Sequence, residues 1–561
     1  HGPGCKEPGL PLIVFSRPRL QGAGPTHLWR APGATPYNFH MATRLHILDG
    51  AKSIGGTKMA IEEDGRGIIL DFGLNYSRLG LFFDEFLSPR TGRGILDYIL
   101  TGLLPRFRDP YREDLFIDHP DLAGLPDLGI SLEAVLFSHP HFDHTGLAGF
   151  LREDIPFYGS SECALTLKAC QDVRSETDRE LVYTRPRLSE GYLVKKPRSK
   201  AEGEKLARWR PWRIFADELS PEFKEFWDDF CLSKVKCETS EPEPVGTEFQ
   251  AGPFRVKVWP VDHSAPGAVA FAIETSAGWV IYTGDLRFHG YAGGKTERFM
   301  EEASELSPVR ALLIEGTRAG EKGSTGEEDV ARRALDVVKS ASGKAINAEF
   351  PLRHPQRLVS FARVARETGR RLVLVPSDFY TASVIAIAEP SLMEAMADVL
   401  IYKEEKSRFP GWEKALAEKY PERAVTPVEV AENPGDYILS FRYWSMNKLL
   451  DIPGLAGGIH IYSTSEPHSE EQEWDLNRLR EWLRLLGITM VGDPTVDSED
   501  PLHASGHASG DELIGIIEAL SPREVIPIHT EAWNQEAENF SFFKKNVRSC
   551  PVREPELVIE L

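Results

Sequence analysis

The chain has 561 residues, a hydrophobic fraction of 41% and a formal net charge of −20 at pH 7. This length exceeds what one hydrophobic core normally supports, so we expect two or three domains. We find no run of about 18 uncharged apolar residues and no secretory signal pattern, which excludes a membrane-spanning helix and favours a cytoplasmic protein. The six cysteines form no CxxC pair, so we expect reduced thiols and neither a disulfide framework nor a zinc–thiolate site.

Residues 1–40 are rich in Pro and Gly and show no periodicity. A strand pattern follows Met41, whereas the chain begins with His1. Two interpretations of residues 1–40 remain open: a leader that is not native, or a real extension lying on the surface.

The first half after Met41 is predicted to be rich in β-structure. Residues 58–61 and 67–71 indicate a hairpin around Asp64-Gly65. Short apolar or alternating segments at 134–137, 254–258 and 279–282 indicate further strands. Residues 155–250 are charged and contain several Trp, and this break in the pattern predicts an insertion.

The second half has a different pattern of predicted secondary structure. Helical patterns at 326–340, 354–367 and 470–486 alternate with strand patterns at 371–375 and 458–462. Such alternation predicts βαβ units and a parallel sheet. We therefore expect a first domain at 41–320, an α/β domain at 321–495 and a segment at 496–561 that completes the first domain.

A cluster of metal-ligating residue types directly follows the predicted strand at 134–137. His139, His141, Asp143 and His144 lie within six residues. In an extended loop, His139 and His141 can converge on one ion while Asp143 and His144 face a second. Imidazole nitrogen together with carboxylate oxygen suits Zn²⁺.

Two ions need more ligands than one loop can provide. His263, Asp285 and His529 each follow a predicted strand. Each residue taken alone has a structural interpretation, but three strand ends that deliver ligand-type side chains indicate a metal site at a sheet edge.

This set resembles the metal-binding pattern of the metallo-β-lactamase superfamily, HxHxDH followed by His, Asp and His. The resemblance implies an α/β fold, an αββα sandwich, with two Zn²⁺ ions bridged by Asp285 and a hydroxide; Mn²⁺ is also compatible with the ligands. It also implies that Asp71 braces the metal loop from behind.

Two further motifs resemble the β-CASP branch of that superfamily, in particular its ribonuclease J-like members. Glu315 matches the first motif, His507 in His-Ala-Ser-Gly-His matches the second, and His529 matches the third. The resemblance implies a β-CASP domain at 321–495 and metal-dependent hydrolysis of RNA, exonucleolytic or endonucleolytic. Asp143, Glu315 and His507 are then the expected catalytic residues.

The segment around His507 has its own physical signal. Ser509 and Glu512 fit a capping box, so a helix is predicted to begin there, and its N–H groups can face a phosphate. His503, Ser505 and His507 are the side chains that we expect to bind substrate phosphate. The alternative is a capped loop without function.

The chain departs from the ribonuclease J pattern at several points. Thr530 replaces the usual Gly, the stretch between His144 and His263 is longer than expected, and the chain ends shortly after His529, where relatives usually carry another domain. A homo-oligomer is therefore possible but not indicated. Two other functions remain open: a small-molecule hydrolase of the lactamase or lactonase type, and a non-catalytic RNA-binding protein.

The net charge conflicts with an RNA substrate unless basic residues are concentrated locally. Residues 184–213 contain ten Lys and Arg against three acidic residues. We expect Arg208, Trp209, Arg210 and Trp212 to contact single-stranded RNA, since it binds cationic and aromatic side chains. The alternative is a solvated surface. A second basic stretch, 353–357, could line the same cleft or begin a helix.

Overall fold

The computed structural model describes residues 42–173, 180–190, 193–195, 207–229, 240–467, 470–496, 502–530 and 538–561. The leader or extension at 1–40 lies outside these residues. Cys163, Cys170 and Cys550, which lie within them, are free thiols, as expected.

The described strands form two large mixed sheets, one parallel sheet and two short ribbons. In chain order they are β1 Arg44–Asp49, β2 Lys58–Glu63, β3 Arg66–Phe72, β4 Ser131–Leu136, β5 Phe157–Gly159, β6 Tyr183–Thr184, β7 Leu188–Glu190, β8 Leu193–Lys195, β9 Arg208–Trp209, β10 Trp212–Ile214, β11 Glu243–Pro244, β12 Glu248–Ala251, β13 Phe254–Pro260, β14 Val269–Thr275, β15 Gly278–Tyr282, β16 Val309–Glu315, β17 Ile346–Glu349, β18 Arg371–Leu374, β19 Leu400–Tyr402, β20 Ala424–Val425, β21 Tyr437–Ser440, β22 Ile459–Tyr462, β23 Thr489–Val491, β24 Val525–Ile528 and β25 Val558–Glu560.

Helices cover the outer faces of these sheets. They are α1 Tyr76–Gly80, α2 Leu96–Thr101, α3 Pro120–Ala123, α4 Phe142–Thr145, α5 Ser161–Val173, α6 Pro221–Asp228, α7 Gly293–Ser304, α8 Glu327–Ser340, α9 Pro355–Glu367, α10 Pro376–Ile385, α11 Pro390–Ala395, α12 Gly411–Lys419, α13 Pro427–Glu432, α14 Glu470–Leu486, α15 Gly510–Leu520 and α16 Glu538–Asn546. Across the described ranges, none of them has the length and apolar character that a bilayer span requires.

Two sheets pack face to face and form a sandwich. The first sheet has the order β11-β10-β5-β4-β3-β2-β1-β25, and the second has the order β12-β13-β14-β15-β16-β24. Ile61 and Leu70 of the first sheet share a buried core with Ile273 and Leu313 of the second. Helices α2 and α5 pack on the outer face of the first sheet, and α7 and α15 pack on that of the second. This is the expected αββα arrangement.

The predicted hairpin at Asp64-Gly65 joins two antiparallel strands of the first sheet, β2 and β3. Asp64 and Gly65 both have positive φ, 51° and 75°. Two successive residues with positive φ are what a type I′ hairpin turn requires, and Asp-Gly is a preferred sequence for it.

The third sheet has the order β20-β19-β18-β21-β17-β22-β23, and each pairing in it is parallel. The parallel sheet expected in the second half is therefore confirmed. Strands β16 and β24 are parallel neighbours in the second sheet, with Leu312 opposite Val525, although the third sheet lies between them in the chain. The elements from α8 to β23, here called the inserted domain, thus interrupt the sandwich between two adjacent strands.

The interpretation of the whole of residues 155–250 as an insertion is wrong, because strands near both ends of that segment belong to the first sheet, whereas β6–β9 and β7–β8 form separate ribbons. Strands β5, β10 and β11 pair in parallel and continue the first sheet beyond β4. Trp212 of β10 is fully buried and packs against Phe137 and Phe157. The short strands and the charged flanks concealed the contribution of this segment to the sheet.

Candidate metal centre and adjoining cleft

The sequence-predicted metal ligands meet at one edge of the sandwich. His139, His141, Asp143 and His144 follow β4, whereas His263, Asp285 and His529 follow β13, β15 and β24. The last three strands run in the same direction, so their carboxyl ends reach the same edge. Chain direction alone therefore brings residues that are remote in sequence to one place.

Asp285 lies at the centre of the cluster. Its Oδ2 atom is 3.6 Å from His139 Nε2, 3.2 Å from His144 Nε2, 3.9 Å from His263 Nε2 and 3.8 Å from His529 Nε2. Two ligands of one tetrahedral Zn²⁺ with bonds of about 2.0–2.1 Å lie roughly 3.4 Å apart. The spacing around Asp285 therefore suits ligands that share ions.

The ligand-type atoms of the described residues form three overlapping groups, of which the third joins His263 and Asp285 to His507. The first contains His139, His141 and His263, and the second contains Asp143, His144, Asp285 and His529; within each group the ligand atoms lie within 4.8 Å of one another. These are the two groups that the sequence motif predicts, with Asp285 close to both. Clusters of His and Asp with this spacing can bind metal ions.

Asp71 fixes the orientation of the two histidines that flank Asp285. His144 Nδ1 lies 2.8 Å from Asp71 Oδ2, and the Ser138 hydroxyl donates to the same oxygen at 2.6 Å. Tyr282 donates its hydroxyl hydrogen to that carboxylate as well. Since the Ser138 hydrogen is used in this way, His139 Nδ1, at 3.0 Å, is the donor to Ser138 Oγ. His139 Nε2 then carries a lone pair directed at the cluster, and His144 Nε2 faces Asp285 Oδ2 at 3.2 Å.

Two of the other three histidines, His263 and His529, are anchored in the same manner. His263 Nδ1 donates to the Gly506 carbonyl oxygen at 2.6 Å, and His529 Nδ1 lies 2.9 Å from the Thr317 hydroxyl. An imidazole whose Nδ1 is held by the protein presents a basic Nε2, which is the arrangement found at metal-binding histidines.

Four ring nitrogens converge in the cluster, and two of them lack a hydrogen-bond partner among the described residues. His139 Nε2 and His144 Nε2 are buried and lack a hydrogen-bond partner in the described part of the chain. His141 Nδ1 faces His263 Nε2 at 3.3 Å, and with His263 Nδ1 engaged by Gly506 this Nε2 carries a lone pair. Unpartnered buried polar atoms are costly, so their convergence fits a bound metal ion.

The charges of the cluster depend on one another. Burial raises the pKa of Asp285, but His144, His529 and the other histidines outweigh it and hold this pKa well below its usual range. Burial also lowers the pKa of His139 and of His263 well below the ordinary value. Burial lowers the pKa of His144 as well, but the charges of Asp285, Asp143 and Asp71 outweigh it and raise this pKa well above the ordinary value. A divalent cation requires neutral imidazoles beside an ionised carboxylate, so metal binding at His144 would displace a proton.

His507 lies beside the metal cluster and pairs with Glu315. Its ring is centred 5.2 Å from that of His263, and its Nδ1 is 2.8 Å from Glu315 Oε2. Burial lowers the pKa of His507, but the charge of Glu315 and the hydrogen bond outweigh it and raise this pKa to about 9. The opposite oxygen of Glu315 accepts from the backbone N–H of Leu286, next to Asp285. His507 is thus held protonated and remains partly exposed.

The segment around His507 is held through its backbone. The Leu502 carbonyl accepts from Ser463 Oγ, the Ser505 carbonyl from Arg287 and His289, and the His507 carbonyl from Arg318. The helix expected after Ser509 is confirmed as α15, and the Ser509 N–H donates to Glu512 at 2.7 Å. Because carbonyls make these contacts, the geometry of the loop depends little on its own side chains.

His503 and Ser505, expected to bind phosphate, lie on this loop. Ser505 Oγ accepts the backbone N–H of His507 at 3.2 Å. Burial and the nearby Arg357 lower the pKa of His503 well below its ordinary value, and its Nδ1 lacks a hydrogen-bond partner among the described residues. The loop thus brings a hydroxyl and a neutral imidazole near His507.

The expected RNA contacts at 208–212 need correction, because these side chains are mostly internal. Trp209 and Trp212 are buried and pack against Trp227. Arg210 is buried and donates to the carbonyls of Gly149 and other interior residues. Arg208 is partly exposed and pairs with Glu153. Buried indoles cannot stack on bases, so this segment supports the fold.

The second basic stretch, 353–357, contains the start of a helix and also a residue that lies beside the metal loop. Helix α9 begins at Pro355, directly after His354. Arg357 is fully buried and pairs with Glu327. Arg353, by contrast, lies over the ring of Phe142 in the metal loop at 4.2 Å, and its charge is felt by His141. Arg353 therefore borders the metal centre from the inserted domain.

Several contributing residues were not singled out from the sequence. Tyr282 bonds to Asp71, and Thr317 bonds to His529. Arg287 anchors the loop before His507 through the Ser505 carbonyl. Thr317 follows a strand within the motif of Glu315 and carried a weak signal. Tyr282 and Arg287 have partners far away in the chain, so no local pattern reveals them.

Comparison with known proteins gives consistent results. Residues 499–547 match the family model described as a Zn-dependent metallo-hydrolase RNA specificity domain. The chain is 23% identical over 525 residues to ribonuclease J of Corynebacterium glutamicum, covering 91% of this chain and 56% of the relative. It is 24% identical over 495 residues to ribonuclease J of Mycolicibacterium smegmatis, covering 87% and 68%. The chain thus spans little more than half the length of the first of these relatives.

A solved structure from Enterococcus faecalis V583, described as a protein of unknown function, has a similar fold. The TM-score is 0.62 at 20% identity, and the match covers 93% of this chain and all of the other. This likeness extends to the sandwich and the inserted domain together.

Proposed function

We propose that this chain, a ribonuclease J-like protein with the metallo-β-lactamase fold and an inserted β-CASP domain, is a metal-dependent hydrolase of RNA. The convergence of six His and Asp side chains around Asp285, with the His507–Glu315 pair beside them, carries the proposal. The similarity to ribonucleases J and to an RNA specificity domain supports RNA as the substrate.

The donor set favours two Zn²⁺ ions, and Mn²⁺ also accepts such ligands. His139, His141 and His263 would hold one ion, and Asp143, His144 and His529 the other, with Asp285 serving both. Bound ions of this kind lower the pKa of water and neutralise charge that develops on a phosphoryl group. Asp71 would keep the ligand histidines in the required tautomer.

The chain's own residues would supply proton transfer and phosphate binding. His507 holds a proton at neutral pH because Glu315 raises its pKa to about 9. It can donate that proton to a phosphate oxygen or to the leaving oxygen. Arg353 beside the metal loop, and His503 and Ser505 on the loop before His507, would offer groups that bind phosphate, including that of a 5′ end.

The decisive experiment uses a 5′-monophosphorylated single-stranded RNA labelled at its 3′ end. Chelator-sensitive cleavage is expected, and product sizes separate exonucleolytic from endonucleolytic action. Failure to cleave with Zn²⁺ or Mn²⁺ would contradict the proposal. Faster turnover of lactams or lactones than of RNA would favour the small-molecule hydrolase, which the net charge of −20 suits.

Two variants connect this activity to the site. Asp285→Ala is expected to abolish cleavage and retention of metal, since this carboxylate lies within reach of both ligand groups. His507→Ala is expected to reduce kcat about 10²- to 10⁴-fold while metal content is retained. His119→Ala, at the start of α3 and outside the cluster, is the matched control and should retain activity. Full activity of Asp285→Ala would refute the assignment of that residue.

A further inference from the structure

Arg287 is a buried guanidinium two residues after Asp285, at the point where the sandwich meets the inserted domain. It donates through Nε to Asp262 at 3.2 Å, through Nη1 to Glu327 at 3.0 Å and to the Ser505 carbonyl at 2.9 Å, and through Nη2 to Gln356 at 2.9 Å. The side chains of Arg287, Asp262 and Glu327 are completely buried. A single planar side chain thus joins four separate segments.

On the sandwich side, the contacts of Arg287 fix two metal-ligand loops to each other. Asp262 directly precedes His263, and its backbone pairs with that of Arg287 in an isolated antiparallel bridge, with the Arg287 N–H donating to the Asp262 carbonyl at 2.8 Å. Asp262 Oδ2 also accepts the N–H of Gly290 at 2.8 Å. The positions of His263 and Asp285 relative to each other therefore depend on this pair.

On the other side, the contacts belong to the inserted domain. Glu327 is the first residue of α8, and its carboxylate also accepts from Arg357 and from His354 at 2.9 Å each. Gln356, in the first turn of α9, accepts from Arg287 and donates to Asp262 at 2.6 Å. The negative charges of Asp262 and Glu327 balance the positive charges of Arg287 and Arg357. A buried cluster of charges requires such a balance.

We propose that Arg287 is a positioning residue that makes the geometry of the metal ligands His263 and Asp285 depend on the docking of the inserted domain. Glu327 and Gln356 act through Arg287 and Asp262, although neither belongs to the ligand groups. The same guanidinium holds the Ser505 carbonyl, whose neighbour Gly506 holds His263. Correct docking of the inserted domain and a competent metal centre are then one event.

This inference rests on the metal-binding part of the proposed function, and its test needs no RNA. The metal-free protein would be titrated with Zn²⁺ in competition with a chromophoric chelator. Glu327→Gln preserves shape but leaves two buried guanidiniums facing a neutral amide. We expect its Zn²⁺ dissociation constant to rise about 10- to 100-fold, the effect usual for groups that support metal ligands.

Gln356→Ala provides the second variant, because Gln356 is only partly buried and its truncation is compatible with folding. It removes the hydrogen bonds by which the inserted domain holds Arg287 and Asp262. We expect the Zn²⁺ dissociation constant to rise about 2- to 30-fold. This variant decides the matter if Glu327→Gln fails to fold.

Tyr380→Phe is the matched control. Tyr380 of α10 donates to the buried Asp172 of α5 at 3.0 Å, so it also crosses between the sandwich and the inserted domain. Its loss should lower the unfolding midpoint but leave the Zn²⁺ dissociation constant within about twofold of the parent.

Hydrogen exchange of the metal-free proteins gives an independent readout. The backbone N–H groups of Arg287 and Ala508, bonded to Asp262 and Leu286, should exchange faster in the Glu327 and Gln356 variants than in Tyr380→Phe. Unchanged Zn²⁺ affinity in folded Glu327→Gln and Gln356→Ala would overturn the inference. A parent protein that binds Zn²⁺ but cleaves no RNA would overturn the proposed function alone.

Discussion

Asp71 accepts hydrogen bonds from several neighbours at once. Its carboxylate binds the Ser138 backbone and hydroxyl, His144 and Tyr282, and its own φ of 54° lies in the left-handed region. A non-glycine residue with this backbone is uncommon and persists where the surroundings require it. We infer that the conformation is retained because it aims the carboxylate at the metal loop.

Asp71→Asn is expected to lower the affinity for Zn²⁺ about 10- to 100-fold. An amide offers one acceptor oxygen and cannot receive all the hydrogens that now converge on Asp71. Chelator competition measures the effect. Asp64→Asn, in a turn where Asn tolerates the positive φ, is the control. Equal affinities for both variants would contradict the bracing role.

Gly506→Ala tests the close approach of the loop before His507 to the metal centre. A Cβ at Gly506 would lie 2.6 Å from Ser264 Oγ and 2.9 Å from His263 Cε1, so His263 must move. We expect a weaker metal site and strongly reduced cleavage. Gly515→Ala, where a Cβ meets nothing within 4 Å, should match the parent or unfold at a higher temperature. Similar metal affinity in both variants would be inconsistent with this geometry.

At this scale the sequence predicted the residues of the metal cluster and Asp71 behind them, but not the side chains that hold these residues in place. The motif 139–144 is contiguous and its residue types are rare, so the metal cluster is readable from the chain. The partner of Asp71, Tyr282, is 211 positions away, and the partner of Arg287, Glu327, is 40 positions away. Tertiary hydrogen bonds of this kind leave no trace in local composition.

Among the elements, β10 shows how composition can mislead. Its tryptophan and the neighbouring arginines suggested a nucleic-acid surface, but Trp212 has no exposure and its indole N–H donates to the Leu181 carbonyl. Arginine inside a protein can donate to carbonyls as Arg210 does, so basic charge in a sequence does not establish a surface.

Trp212→Ala is therefore expected to destabilise the fold by about 3–5 kcal/mol, as a large truncation in a core does. Urea unfolding would measure this loss. Arg208→Ala, whose side chain is 39% exposed, should change stability little. A Trp212 variant of normal stability that has lost RNA binding would restore the original interpretation of this strand.

The start of α9 gives the fold a dependence on pH. Burial, together with Arg357 and Arg287, lowers the pKa of His354 to about 4 despite the charge of Glu327. The unfolded chain therefore binds a proton at His354 near pH 6.5, before the folded chain does. Stability is full above this value and is lost as the pH falls toward 4.

The urea concentration at the unfolding midpoint of the metal-free protein should accordingly decrease as the pH is lowered from 6.5 to 4.5. Other buried histidines contribute, so the informative quantity is the slope. In His354→Gln the slope should be shallower than in the parent, because one such group is absent. Identical slopes would show that His354 does not contribute.

For the whole molecule, one hydrophobic cluster crosses the boundary between the sandwich and the inserted domain. It contains Ile69 and Leu165 of the sandwich together with Phe361 and Tyr380 of the inserted domain. Lys168 and Asp172 form a buried ion pair within α5, and Tyr380 of α10 donates to Asp172. A shared core of this kind couples the stability of the two parts.

We expect the two parts to unfold in a single cooperative transition. Hydrogen exchange of β3 in the sandwich and of β18 in the inserted domain should report the same free energy of opening. Two separated transitions would show that the inserted domain is independent, and would also weaken the case for Arg287 as a link between docking and metal geometry.

The insertion between β16 and β24 also orders events during synthesis. A ribosome completes His139, His141, Asp143, His144, His263 and Asp285 early, whereas His507 and His529 emerge only after the inserted domain. A chain whose translation stops within that domain lacks His529, a proposed ligand, and His507, the proposed proton donor. The proposed ribonuclease would in this way be unable to act on the message that encodes it until the inserted domain and β24 had been made.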